Sequence, residues 1–303
     1  MPRRLIVVII ICFTCINLHA QDDSISVKQK KQRQTFLAAS SSGLTIGSLF
    51  WLNQAWYASY NTGQFHFFND NNEWLQMDKA GHLWTNFQMG RMMTKAFEWA
   101  GFNKQKQLIY GGAIGFAYMT GIEIMDGFSR GWGFSWGDEL SNASGTALAI
   151  IQAAYWQEQK IQLKFSYHAS GIAKYNPSLL GKNPGTQILK DYNGQSYWLS
   201  FNPFAFCKSK QRWPIWLNLA IGYRAEGMLG AVDNKIVVYD QNSNQITFNR
   251  TRHYLFSFDV NLDKIKVRNK TLKKILTAIN IIKIPAPAID ISHKVFRIYG
   301  IYH

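Results

Sequence analysis

The sequence contains little cysteine. Three of its 303 residues are cysteines, and Cys12 and Cys15 lie in an apolar N-terminal run, so only Cys207 remains in the rest of the chain. One cysteine can form neither a disulfide framework nor a cysteine-based zinc site. We interpret Cys207 as a small hydrophobic residue at the end of a strand rather than as a nucleophile.

Acidic residues are also scarce. The chain has 18 Asp and Glu against 33 Lys and Arg, a net charge of +15. The basic residues are dispersed and accompany no nucleic-acid-binding motif, so we predict no nucleic-acid partner. In an exported protein, this charge favours anionic lipid or glycan surfaces. We therefore predict a membrane surface or outer-membrane components as partners, while the sequence leaves the oligomeric state open.

The N-terminus has the pattern of an export signal. Arg3 and Arg4 precede an apolar run over residues 5–16, and Ala20 follows as a small residue at a cleavage position. The run is shorter than the ~20 residues of a membrane span, although an uncleaved anchor remains the alternative. We predict a signal peptide over residues 1–20 and export to the periplasm or outer membrane of a Gram-negative bacterium.

The hydrophobic period changes near residue 160. Apolar residues follow a helical period over residues 35–159 and alternate at every second position over residues 160–303. The pattern predicts an α+β protein, in which an N-terminal four-helix domain precedes an antiparallel β-sheet domain with one amphipathic helix. We count about six or seven strands, fewer than the eight of the smallest single-chain bacterial barrels. The sheet should therefore pack on the helices or lie against a membrane.

Four segments of the pattern need particular attention. Residues 36–60 contain no charged residue and form either a buried helix or a membrane span. Residues 107–126 form a helix rich in glycine, which predicts close approach of another helix. The amphipathic helix in "NKTLKKILTAINIIKIP" either covers the sheet or rests on anionic headgroups. The final segment, "AIDISHKVFRIYGIYH", is predicted as one long strand with a bulge near Lys294.

Polar residues stand in three pairs at helix-turn spacing, which places the two members of each pair on one helix face. Because a short loop joins the second and third pairs, both should lie at one end of a helical hairpin. An up-down arrangement brings the first pair to the same end. The pairs are Asp78 and His82, Glu123 and Asp126, and Asp138 and Asn142.

Such a cluster admits several chemical roles. Histidine with carboxylates has the composition of a divalent metal site, and general acid–base chemistry with His82 as the base is a further role. The same residues can instead cap helices and form ion pairs. Tryptophans nearby suit a sugar or a membrane interface. The candidate metal ligands are His82, Glu123, Asp126 and Asp138; Asp78 and Asn142 complete the catalytic candidates; the binding candidates are Lys79, Ser135, Trp132 and Trp136.

The polar segments resemble a known family of bacterial envelope proteins. "MDKAGHLWTNF" and "GIEIMDGFSRGWGFSWGDELSNASG" are similar to the YfiM-like family of predicted periplasmic lipoproteins of unknown function, over about residues 70–155. The resemblance implies an envelope location and no established activity. The chain departs from the family in lacking a lipobox cysteine. The matching residues are Asp78, Lys79, His82, Glu123, Asp126, Gly133, Ser135, Asp138, Asn142 and Gly145.

Two looser likenesses add alternatives. VanZ-like membrane proteins also place an Asp-Lys-x-x-His helix before a Glu helix and an Asp-x-x-x-Asn-x-x-Gly helix, which would put these helices in a membrane. The C-terminal half, with "LKDYNGQSYWLSFNPF", resembles the extended form found in Bacteroidetes envelope proteins.

The sequence leaves three functions open and does not decide whether the protein is an enzyme. The first is a structural, partner-binding or lipid-binding envelope protein. The second is a metal- or histidine-assisted hydrolase or transferase acting on lipid or cell-wall material. The third is an integral membrane protein of VanZ-like type.

Overall fold

The computed structural model of the protein describes residues 26–54, 63–207, 213–235, 237–239, 243–293 and 295–302. The predicted signal peptide, the end of the predicted first helix and Lys294 lie outside these residues. The chain forms two compact units. The helical unit comprises residues up to Asp70 and Thr85–Gln159, and the sheet unit comprises Asn71–Trp84 and Lys160–His303.

Four long helices precede the sheet, as predicted. Side-chain caps define where they begin: Ser26 and Gln29 form a capping box, Asn103 accepts from the N–H of Lys106, and Ser135 accepts from that of Asp138. These caps explain why the third helix begins three residues before the predicted Gln107. The helices are α1 (Val27–Leu52), α2 (Met77–Trp99), α3 (Lys104–Gly127) and α4 (Trp136–Tyr155).

Glycines of α3 lie where other helices approach closely, as predicted. A Cβ on Gly111 would lie 2.7 Å from the Thr94 nitrogen of α2, and one on Gly112 would lie 3.1 Å from Ile150 Cγ1 of α4. Gly121 differs, because no atom of the described residues packs within 4 Å of its Cβ position. The small residues therefore set the helix spacing along the first part of α3.

Within the described part of the chain, two helices are long and apolar enough to cross a membrane. They are Val27–Leu52 and Lys104–Gly127. In the most apolar stretch of each helix, 6% and 28% of the residues are buried, respectively. Length and composition alone support this statement, since buried core helices and signal sequences have the same properties.

The sheet unit is built on one antiparallel sheet of six strands in the order β1-β2-β3-β6-β7-β8. A hairpin of β4 (Val238–Tyr239) and β5 (Gln245–Ile246) is separate from it. The predicted α+β class is therefore confirmed. The other elements are β1 (Ile161–Tyr167), α5 (Pro177–Leu180), α6 (Pro184–Lys190), β2 (Gln195–Phe201), β3 (Leu217–Glu226), β6 (Thr251–Val260), α7 (Lys270–Ile279), β7 (Ala286–Ser292) and β8 (Phe296–Tyr302).

The chain's final segment is a hairpin, so the prediction of one long strand is wrong. Strands β7 and β8 pair with Ile289 opposite Ile298, and the backbone of Ser292 bonds to that of Val295 across the turn. The register irregularity lies between Ala286 and Ala288. Alternation continues on both arms, and no Gly-containing turn interrupts it, so periodicity alone could not show the reversal.

Candidate functional site

The first predicted pair lies in the sheet unit, at the start of α2. His82 Nε2 and Asp78 Oδ2 are 3.9 Å apart, and their side chains are 13% and 28% exposed, respectively. The Tyr192 hydroxyl donates a short hydrogen bond to Asp78 Oδ1. Burial raises the pKa of Tyr197, and the negative charge of Asp78 raises it further. The pair is therefore a carboxylate–imidazole couple beside two tyrosines.

The second and third pairs lie in the helical unit. Glu123 is 1% exposed, and its Oε2 accepts from the Ser135 N–H at 3.2 Å. The Ser135 hydroxyl accepts from the Asp138 N–H at 3.1 Å and donates to Asp70 Oδ1 at 2.6 Å. The end of α3 is thus tied to the start of α4, as expected for a short connecting loop.

Sequence reasoning missed Asn86, which is fully buried. Its Nδ2 donates to Asn142 Oδ1 at 2.5 Å, and Thr146 Oγ1 donates to its Oδ1 at 3.4 Å. Helical spacing could have indicated it, because Asn86 follows His82 by one turn of α2. Asn142 therefore has a partner that the paired pattern did not include.

Glu139 is a second buried residue that the three predicted pairs did not include. It lies in the first turn of α4, where a carboxylate suits the helix dipole. Its side chain is only 7% exposed, and neither carboxylate oxygen has a hydrogen-bond partner among the described residues. It therefore adds a buried acidic group to this helix end.

The remaining candidates occupy different settings. Asp126 is in the last turn of α3, and its backbone carbonyl accepts from the Ser129 N–H at 2.9 Å. Lys79 and Trp132 are half-buried. Trp136 is 69% exposed and stacks on Phe67 with ring centroids 5.9 Å apart. Trp136 thus belongs to an aromatic surface cluster of the helical unit rather than to the polar groups.

The sheet unit shows an unexpected distribution of side chains. One face of the sheet, here called the polar face, carries charged and hydroxyl side chains that are almost fully buried. They include Lys164, Ser166, Ser196, Ser200, Arg224, His253, Asp259 and Asp290.

The sheet curls over this polar face. Tyr302 of β8 contacts Trp198 of β2 with ring centroids 5.5 Å apart, and its hydroxyl lies 2.9 Å from Ser196 Oγ. Three strands lie between β2 and β8 in the sheet order, so only strong curvature can bring these side chains together. On the outer edge of β1, Phe165 pairs with Ile282. The curvature removes the polar face from water.

Buried charges on the polar face are paired. Lys164 Nζ lies 2.7 Å from Asp259 Oδ2, and both side chains are fully buried. Asp259 also accepts from the Ser200 hydroxyl at 2.6 Å. His253 Nδ1 lies 2.7 Å from Asp290 Oδ1. Burial lowers the pKa of His253, although its hydrogen bond to Asp290 opposes that shift.

The opposite face, here called the apolar face, is exposed. Register places Leu199, Ile221 and Phe256 side by side, followed by Ile289 and Ile298. At β1, the Trp84 ring covers this face, 5.4 Å from the Phe165 ring. From β2 to β8, the exposed fractions range from 36% to 71% for Leu199, Ile221, Tyr254, Phe256, Phe258, Ile289, Ile291, Phe296 and Ile298.

The amphipathic helix α7 extends this apolar surface. Leu272, Ile275 and Ile279 lie on its apolar stripe and, together with Ile282 just beyond its end, are 42–51% exposed. The stripe is therefore not buried against the sheet. Of the two predicted positions of this helix, covering the sheet was one.

The fold and these surfaces define an α+β protein of two units, one of which has a buried polar interior and an apolar exterior. Residues 66–154 match the family DUF2279, described as a predicted periplasmic lipoprotein. This span contains every predicted site residue from Asp78 to Asn142. Similarity to that family is consistent with an exported protein, whereas the YfiM-like and VanZ-like resemblances stay predictions. Neither the curated proteins nor the solved structures contain a match.

Proposed function

We propose that the protein is a non-enzymatic component of the bacterial envelope that attaches to a lipid bilayer through the apolar face of its sheet. One observation carries the proposal: the sheet buries charged side chains on one face and exposes aliphatic and aromatic side chains on the other. An antiparallel sheet with one face in water has the reverse distribution.

The energetics favour an apolar environment outside the sheet. Burying charges such as Lys164 and Asp259 costs several kcal/mol per ion before pairing offsets it. Large apolar side chains gain about 1.5–3 kcal/mol each when fully removed from water. A chain that buries its charges and exposes Phe256 and Ile298 leaves that gain unused in water. Contact with hydrocarbon recovers it.

The shape and charge of the surface favour lipid over a protein partner. The apolar face extends across five strands, and α7 adds a second apolar stripe flanked by Lys270, Lys273 and Lys274. Basic amphipathic helices of this kind lie in the membrane interface. Four of the six sheet strands have seven residues, fewer than the ~9–11 of a spanning strand. We therefore propose contact with one leaflet rather than passage through the bilayer.

Flotation of the full-length protein with phosphatidylcholine vesicles tests the proposal. We expect Phe256→Gln with Ile298→Gln to weaken attachment at least about tenfold, because two exposed apolar side chains no longer enter hydrocarbon. Both positions are exposed, so the variant should fold. The matched control is Ile188→Gln with Val232→Gln, two exposed apolar residues outside the sheet. Equal attachment of the two variants would refute the proposal. It would also be refuted if the sheet variant, Phe256→Gln with Ile298→Gln, lost a dimer rather than its attachment to vesicles.

A second candidate function is a hydrolase or transferase acting on lipid or cell-wall material. It is favoured by the Asp78–His82 couple, since a carboxylate can orient an imidazole that acts as a base or as a metal ligand. On this proposal, purified protein contains a stoichiometric divalent metal that His82→Ala loses while its melting temperature is kept. The exposed His293→Ala is the control. Metal-free protein and a lower melting temperature for His82→Ala would instead assign the couple a structural role.

A further inference from the structure

We propose that a basic pocket between β6 and α7 binds the phosphate of an anionic phospholipid headgroup. This inference rests on the proposed attachment to lipid and adds the class of lipid that is recognised. The pocket has a volume of about 520 Å³ and is lined by Asp263, Lys264, Ile265, Lys266, Val267, Arg268 and Lys273.

The charges of the pocket favour an anion. Four of its lining residues are cationic and one is acidic. The single carboxylate, Asp263, accepts a hydrogen bond from Asn280 Nδ2 at 2.9 Å. Arg268 offers a planar fork of donors, which suits a phosphate group. Lys266 and Arg268 are both exposed and accessible to a ligand.

Hydrogen bonds hold the pocket in shape. Lys273 Nζ donates to the carbonyls of Asp263 at 2.6 Å and Ile265 at 3.1 Å. Asn261 caps the turn over residues 262–264, accepting from the Asp263 N–H at 3.1 Å. Asn269 caps α7, accepting from the Leu272 N–H at 3.0 Å. A loop fixed at both ends loses little conformational entropy when it binds a ligand.

The position of the pocket matches the depth of lipid phosphates. Its Lys273 lies on α7, whose apolar stripe includes the exposed Leu272 and Ile275. Amphipathic helices bury such a stripe at the boundary of headgroups and acyl chains. If α7 does so, its flanking cations lie at the level of the phosphates. The partial positive charge at the start of α7 adds to this attraction.

The test compares vesicles of phosphatidylcholine alone with vesicles that also contain phosphatidylglycerol. We expect the wild type to attach to both and to prefer the anionic vesicles. Lys266→Gln with Arg268→Gln should reduce that preference roughly thirty-fold, since a cation near an anionic surface contributes about a factor of five. Attachment of this variant to neutral vesicles should not change.

The control removes the same charge elsewhere in the sheet unit, by Lys174→Gln with Lys182→Gln, which are both exposed. An equal loss of the anionic preference in this control would overturn the proposed pocket, because net charge alone would then explain the preference. A wild type that attaches equally to both vesicles would overturn the headgroup site but not the proposed function. A wild type that fails to attach to neutral vesicles would overturn the proposed function alone if the anionic preference remains. If inorganic phosphate binds at the pocket while the wild type shows no preference among the vesicles, free phosphate is the ligand. That result would overturn the lipid assignment.

Discussion

Lys283 has an ammonium group in the buried interior of the sheet unit. Its side chain is 2% exposed, donates to the Ile284 carbonyl at 2.9 Å and lies over the Trp198 ring at 4.7 Å. Burial lowers its pKa to about 8; Asp259 opposes the shift and Lys164 adds to it. The polar interior therefore contains a lysine that holds its proton less strongly in the folded protein than in the unfolded chain.

This pKa predicts how stability depends on pH. A lysine of the unfolded chain titrates near pH 10.4, so between about pH 8 and that value the unfolded chain binds more protons than the folded one. Stability must then rise with pH across this window. We expect the free energy of unfolding of the wild type, relative to Lys283→Met, to increase by roughly 3 kcal/mol from pH 7 to pH 10.5. Urea denaturation at several pH values measures it.

The control is Lys266→Met, at an exposed lysine. The free energy of unfolding of the wild type relative to this variant should not increase over the same pH range. Parallel pH profiles of the wild type and Lys283→Met would show that the pKa of Lys283 is not lowered in the folded protein.

Single residues differed in how well the sequence predicted them. The cap of α4 at Ser135 is a local feature, because a hydroxyl just before Asp138 and Glu139 is typical of a helix start. Lys164 and Lys283 were not identified as buried, because hydropathy assigns charged residues to the surface. Asn86 belongs to no local motif, and only packing shows that it bonds to Asn142.

Among the elements, α3 offers a matched pair of substitutions. Gly111→Ala would place a Cβ 2.7 Å from the Thr94 nitrogen and 2.8 Å from its Cα. The helices must then separate, and we expect a loss of about 1–3 kcal/mol. Among the residues that the structure describes, none packs within 4 Å of the Cβ of Gly121→Ala, so helix propensity should make this substitution stabilising by up to about 1 kcal/mol. Thermal unfolding of both variants measures the difference, and a neutral Gly111→Ala would contradict the close packing of α2 and α3.

The strands show what periodicity can and cannot predict. Alternation correctly grouped Ile161, Leu163 and Phe165 on one face and Gln162 and Lys164 on the other. It could not determine which face is buried, because that depends on the solvent outside the sheet. In water the apolar face would be covered, whereas here most of it is exposed from β2 to β8. The inverted burial is thus a tertiary property that appears only when the sheet curls.

At the level of the whole molecule, the order of helices and sheet followed from the change in hydrophobic period. The meeting of the three polar pairs did not follow so directly. The structure ties Glu123 to Ser135 within the helical unit and Asp78 to His82 within the sheet unit. Convergence of all three pairs on one site stays a prediction, because it depends on long-range packing that spacing cannot determine.

Washing of membranes distinguishes the modes of attachment of the whole protein. Salt screens interactions between exposed charges, largely so beyond about 10 Å at 0.1 M ionic strength and at shorter range as the salt concentration rises, but it does not weaken apolar contacts. We therefore expect the wild type to stay with the membrane fraction at high salt, and Phe256→Gln with Ile298→Gln to be released. Ile188→Gln with Val232→Gln should behave as the wild type does. Immunoblots of the washed membranes provide the measurement.

Two other results would each assign a different mode of attachment. Release of the wild type by salt would make the basic residues sufficient and the apolar face unnecessary. Retention of the sheet variant at high salt, and also after carbonate extraction, would mean that α1 or α3 spans the bilayer, since both are long and apolar enough to do so. The apolar face of the sheet would then be an additional contact of an integral membrane protein, because removing two of its side chains would not detach the chain.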